Sequence, residues 1–224
     1  MTLTRHDDLP LTYVKNVPTG APDDAELPLV IVLHGRGADA NDLADLAPLL
    51  NPSDDDGYRF LFPNAPRPFE PYPGMRYGFS WFDGWPAEHQ SLLSSRELLL
   101  RFIDEAVARY PMPPGKVILC GFSQGGLMSI DCGFRTSQPL AGIVVMSGAV
   151  YEEDLPDFRA KPEQRVLIVH GTGDEVIPVL AARRARRILE DHGIEPEHHE
   201  YSMGHQVSEE SMEAVRVFVG DCLR

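Results

Sequence analysis

The sequence predicts an α/β fold, a mostly parallel central sheet with helices on both faces. Two observations carry this. Short runs that are apolar throughout alternate along the chain with longer amphipathic segments. The runs do not alternate polar with apolar, which suits parallel strands covered on both sides. Strand–helix alternation on this scale then implies helices packed on both faces of that sheet.

The strand candidates are "LPLVIVLHG" (Leu27–Gly35), "YRFLFP" (Tyr58–Pro63), "KVILCG" (Lys116–Gly121), "LAGIVVMSG" (Leu140–Gly148) and "QRVLIVHG" (Gln164–Gly171). "EHHEYSM" near Glu197 is a weaker, later strand. "LTYVKNV" (Leu11–Val17) does alternate and reads as an antiparallel edge strand. A first helix is expected in "NDLADLAPLL", capped by Asn41. Over Gln90–Tyr110, Leu92, Leu99, Ile103, Ala106 and Tyr110 form one apolar stripe of a second helix. Gly126–Arg135, Val179–His192 and Ser208–Val219 complete the helices. The segment Pro63–His89 breaks the rhythm. It is rich in proline and holds both tryptophans, which points to an ordered loop lining a pocket. With no linker and no internal repeat, residues 1–224 are expected to form a single domain.

The formal net charge of −14 argues against nucleic acid and anionic membrane surfaces as partners. Three cysteines, Cys120, Cys132 and Cys222, fit neither a disulfide framework nor a zinc site. The opening residues "MTLTRHDDLP" have no apolar core, and no stretch approaches a membrane span. The expectation is a cytoplasmic protein with reduced thiols and no stable membrane insertion.

In "VILCGFSQGGLMSI", Ser123 lies in a G-x-S-x-G pattern at a strand-to-helix turn, where a nucleophile elbow would sit. A serine needs a base and an orienting acid, which follow in such folds in the order Ser, Asp or Glu, His. Asp174, in "VHGTGDEVIP", and His205, in "YSMGHQVSEE", both fall just past strand ends. Glu175 is the weaker choice of acid. His170 reads as a hydrogen-bonding support, His192 as a helix-end residue, and His198 and His199 as structural strand residues. Ser147 has glycine on one side only and reads as a strand-end hydroxyl. The oxyanion N–H groups are expected from Gln124, after the serine, and from Arg36, between glycines in "LHGRGADAND". There the Gln124 backbone is what matters, with no part for its side chain. The Arg36 side chain is either solvated or aimed at a polar or acidic part of the substrate. "RRARR" (Arg183–Arg187) reads as a solvated helix face.

The pieces "LHGRGADANDL", "SWFDG", "GFSQGG", "HGTGDEVIP" and "GH", in this order, resemble the phospholipase/carboxylesterase family of α/β-hydrolases, which includes acyl-protein thioesterases. The resemblance implies the α/β-hydrolase fold and a triad of Ser123, Asp174 and His205. It also implies oxyanion groups at Arg36 and Gln124, and a Ser80–Asp83 segment beside the site. Arginine stands in "HGRG" where thioesterase-like members usually have leucine, which looks more like the bacterial carboxylesterase branch. The implied activity is hydrolysis of small carboxylic esters through an acyl-enzyme, without metal or organic cofactor; the aromatics of Pro63–His89 suggest an apolar pocket for short to medium acyl chains. Phe79, Trp81 and Phe82 are candidates for the substrate pocket. Thioester or lysophospholipid hydrolysis on the same residues is the alternative, and an inactive hydrolase-like binding protein a further one. A homodimer is a family-level expectation.

Overall fold

The computed structural model describes residues 2–51, 57–153 and 163–224. In chain order the strands and helices are β1 (Thr2–His6), β2 (Tyr13–Val17), β3 (Leu29–Leu33), α1 (Ala47–Leu50), β4 (Arg59–Pro63), β5 (Arg67–Phe69), β6 (Gly78–Ser80) and α2 (His89–Arg109). There follow β7 (Val117–Phe122), α3 (Gln124–Gly133), β8 (Gly142–Met146), β9 (Val166–Gly171), α4 (Val179–Asp191), β10 (Glu197–Tyr201) and α5 (Glu209–Leu223). Eight strands form one sheet in the order β1-β2-β4-β3-β7-β8-β9-β10. From β4 to β10 every neighbouring pair is parallel, and β2 and β1 add antiparallel pairs at one end.

The apolar runs are strands because both sides of each are covered. Along β3, Val30 and Val32 pack with α1 and α5, while Leu29, Ile31 and Leu33 pack with α2 and α3. On β8 and β9, Ile143, Val145, Val166 and Ile168 meet α3 and α4. Side chains this fully buried contribute roughly 1.5–3 kcal/mol each relative to exposure. A sheet with helices on both faces is therefore the way this pattern removes its apolar surface from water.

Three local expectations are corrected. The strand at Leu11–Val17 is antiparallel but not the edge, because β1 lies outside it. The sequence of β1, "TLTRH", is largely exposed and lacks an apolar signal. The segment after Asn41 forms only a 3-10 turn (Ala44–Leu46) and the four-residue α1. Pro48 has no N–H to continue the turn into a longer helix and sits instead at the start of α1. Asn41 caps nothing, since its backbone N–H and side-chain amide both donate to Asp39 Oδ1. The other helices lie close to expectation. Ser208 caps α5, and Glu88 accepts from the N–H groups of Gln90 and Ser91 at the start of α2.

The Pro63–His89 segment is ordered around the hairpin β5–β6, in which Phe69 opposes Gly78. That hairpin is tied to the turn after β3 by Gly37 N–H to Phe79 O and Phe79 N–H to Ala38 O, each at 2.8 Å. At the far end of the sheet, β10 is polar, and Arg165 and Arg183 reach across to Glu197 and Glu200. All three cysteines are free and buried; burial alone pushes the Cys120 thiol up to about 12.

Candidate active site

The turn between β7 and α3 is as tight as its glycines suggest. A Cβ on Gly121 would stand 2.2 Å from the Gly125 carbonyl oxygen, and one on Gly125 would stand 2.1 Å from the Leu33 carbonyl oxygen. No side chain fits at either position. Ser123 takes φ 57° and ψ −119°, a region that costs a non-glycine residue about 1–3 kcal/mol. Its N–H to Met146 O bond and the closely packed strand and helix hold it there.

Ser123, Asp174 and His205, from three different loops, are brought into one line of hydrogen bonds. Ser123 Oγ lies 2.9 Å from His205 Nε2. His205 Nδ1 lies 2.7 Å from Asp174 Oδ2. The other carboxylate oxygen of Asp174 accepts the N–H groups of Val176 and Ile177 at 2.9 and 2.8 Å. Burial pushes the Asp174 carboxyl upward. The His205 hydrogen bond and the two backbone N–H groups outweigh it, and the group titrates below its ordinary value. A carboxylate held ionised in this way fixes the imidazole with a proton on Nδ1 and leaves Nε2 to accept from the serine. The Phe122 ring packs on His205, with centroids 4.9 Å apart.

The turn after β3 closes the other side. Gly35 lies against the serine, and a Cβ built on it would be 3.4 Å from Ser123 Cβ. The Gly35 carbonyl is drawn away by His34 Nδ1 at 2.7 Å and by the Ala38 N–H at 3.3 Å. C=O and N–H point in opposite directions across a trans peptide, so the Arg36 N–H is turned away from those two partners. Gln124 is the first residue of α3, where N–H groups have no partner within the helix.

The phospholipase/carboxylesterase family model matches residues 16–223, nearly the whole chain. The chain belongs to the phospholipase/carboxylesterase family. It is 27% identical to a probable carboxylesterase of Oryza sativa subsp. japonica, covering 87% of this chain and 88% of the relative. It is 26% identical to acyl-protein thioesterase 1 of Debaryomyces hansenii, over 87% of this chain and 91% of that one. The crystal structure of esterase PE8 superposes with a TM-score of 0.79 at 29% identity, covering 90% and 95% of the two chains.

In this phospholipase/carboxylesterase chain two supporting residues went unread in the sequence. One is His34. Its ring is buried, donates from Nδ1 to Gly35 O and accepts the Ala65 N–H at Nε2, 3.0 Å away. Burial lowers its pKa from the ordinary 6.5, against the opposing pull of the Gly35 carbonyl and of Asp39 and Asp42, so the ring is held neutral. The other is the Gln124 side chain. Its Oε1 accepts from Ser80 Oγ and the Trp81 N–H at 3.0 Å each, and its Nε2 donates to Phe82 O at 2.9 Å. The expectation that only its backbone matters is corrected, because this amide ties the Ser80–Phe82 segment to the elbow.

That tie also corrects the pocket candidates. Trp81 and Phe82 are 0% exposed and belong to the core beside α2 and α3. Trp81 spends its indole N–H on the His34 carbonyl at 2.9 Å. Neither ring offers a free face to a substrate; Phe79 is half-buried against the same core.

His170 and His192 have structural partners. His170 Nε2 lies 2.8 Å from Ile177 O, bracing the loop that carries Asp174. His192 Nδ1 meets Ile188 O at the end of α4. His198 and His199 lie on β10, and Glu175 is exposed. Ser147 is buried at the end of β8 with φ 48°. Arg183, Arg184 and Arg186 pair with Glu200, Glu152 and Glu190 on the exposed face of α4. Among the described residues no group of three or more His, Cys, Asp or Glu side chains could hold a metal ion, and no helix is long and apolar enough to cross a membrane.

Proposed function

We propose that this carboxylic ester hydrolase works through Ser123, His205 and Asp174 on esters of short to medium acyl chain. The supporting observation is the unbroken line of hydrogen bonds from Ser123 Oγ through His205 to Asp174. Ser123 Oγ attacks the ester carbonyl as His205 Nε2 takes its proton. Asp174 stabilises the imidazolium and keeps its orientation. The N–H groups of Gln124 and Arg36 hold the oxyanion, each contributing about 3 kcal/mol in comparable sites. His205 then protonates the leaving alcohol. Water, deprotonated by the same ring, releases the acid from the acyl-enzyme.

Labelling by a fluorophosphonate probe together with turnover of p-nitrophenyl butyrate tests this reading. Both should vanish in Ser123→Ala; turnover that survives would overturn the assignment. A series from acetyl to palmitoyl esters tests chain length, with long chains disfavoured. Thioester hydrolysis on the same residues is a second reading, favoured by the similarity to acyl-protein thioesterase 1 of Debaryomyces hansenii. Oxygen and thiol esters of one acyl group separate the two.

A further inference from the structure

The proposed mechanism uses only the backbone of Arg36. Its side chain is exposed and, among the described residues, has no carboxylate partner. Arg109, Arg183 and Arg184, also exposed, each pair with an acid. The carboxylate nearest in sequence, Asp39, is engaged with Asn41. The Arg36 guanidinium instead lies over the Phe69 ring, its Cζ 4.7 Å from the centroid. Phe69 is itself pressed against the backbone at Gly37, where an added Cβ would come within 3.0 Å of its Cδ1. The cation is therefore held in place by a ring that is held in place. Stacking on an aromatic face orients a guanidinium without neutralising it.

Position and charge together give this arrangement a meaning. Arg36 follows Gly35, which lies against Ser123. A carbonyl oxygen seated on the Arg36 N–H is within one arginine side chain of the guanidinium. The chain as a whole carries −14 and repels anions. A cation stacked on a fixed ring, one residue along the chain from the glycine that lies against Ser123, offsets that repulsion locally.

Resting on the hydrolytic reading of Ser123, we propose that the Arg36 side chain selects esters bearing an oxyanionic group, a carboxylate or a phosphate, close to the scissile bond. The anion pairs with the guanidinium while the ester carbonyl occupies the oxyanion site.

Two matched pairs test this. Monomethyl adipate against methyl hexanoate places the charge on the acyl side. Para-acetoxybenzoate against para-acetoxybenzamide places it on the alcohol side. The readout is the ratio of kcat/KM, anionic over neutral. In at least one pair it should reach about tenfold at low ionic strength and shrink as salt is added. Arg36→Gln should bring it close to one, Arg36→Lys should retain part of it, and Arg183→Gln, on the exposed face of α4, should leave it intact. Because ratios are compared, a general loss of rate in an Arg36 variant does not mask the result. A wild-type ratio near or below one in both pairs, or one that survives Arg36→Gln, would overturn the proposal while leaving the esterase reading standing. Turnover that persists in Ser123→Ala would overturn both.

Discussion

The carboxamide oxygen of Gln124 accepts the backbone N–H of Trp81 at 3.0 Å, joining the residue after Ser123 to a segment far back in the chain. With Ser80 Oγ and Phe82 O, this makes three buried hydrogen bonds from one side chain. Gln124→Leu should cost about 2–4 kcal/mol, because it leaves buried partners unpaired. Gln124→Glu should also destabilise, since it sets an acceptor against the Phe82 carbonyl. Urea unfolding midpoints check both, and kcat should fall with them as the elbow loosens.

Asp174→Asn should lower kcat by about 10⁴-fold with little change in KM. One carboxylate oxygen is committed to the Val176 and Ile177 N–H groups and must remain the carbonyl of the asparagine. The new amide then faces His205 Nδ1 and favours the wrong tautomer. Single-turnover kinetics with p-nitrophenyl butyrate measure the loss.

Gly125→Ala should destabilise the protein by more than about 3 kcal/mol or prevent folding. The clash is with the Leu33 carbonyl oxygen, which belongs to a central strand and has no room to move. Thermal melting and soluble yield check this. Gly20, with nothing within 4 Å of an added Cβ, is the contrast in spatial terms alone, since its φ of +84° still strains an alanine.

Stability should decline as pH falls below about 6.5. The unfolded chain takes up a proton at His34 near the ordinary value of 6.5, whereas burial lowers the folded pKa. More protons bound in the unfolded state means stability is lost on acidification, through the interval between the two pKa values. His198, lowered mainly by burial, acts in the same direction. Urea midpoints at about pH 7.5 and 5.5 should differ, and His34→Gln should reduce the difference without abolishing it.

Asp131→Asn should cost about 3–5 kcal/mol. The buried Asp131 carboxylate on α3 accepts from Arg96 of α2 at 2.7 and 3.0 Å and from Arg135 at 2.8 Å. Removing its charge takes a buried counter-ion from two largely buried guanidinium groups. Differential scanning calorimetry reads the fall in Tm.

The sequence showed the parts whose signal is local. Leu29–Leu33, Val117–Phe122 and Val166–Gly171 are apolar because they are covered on both faces, so composition alone marks them as central strands. Ser123, Asp174 and His205, which hydrogen bonds bring together, each follow such a strand or its neighbour within a few residues. The supports were not legible, because their partners lie far off in the chain. His34 meets Ala65, and Gln124 meets residues 80–82, contacts that exist only once the Pro63–His89 segment has folded back. The same segment misled as well, since aromatic content does not distinguish a pocket wall from core, and Trp81 and Phe82 proved to be core. Buried Arg59 on β4 was equally hidden, its two terminal guanidinium nitrogens donating to the carbonyls of Pro111, Asp23 and Ala25.

The two outer strands have a bearing on how the protein behaves in company. An open sheet ends in rows of unpaired peptide groups that invite strands from other molecules. Here one rim is the exposed "TLTRH" of β1 and the other the polar β10, where ion pairs to Arg165 and Arg183 cover Glu197 and Glu200. A foreign strand docking on either rim would have to displace charged and hydrated side chains for little apolar contact in return. The molecule can thus keep a long, open sheet at high concentration without inviting growth from its ends.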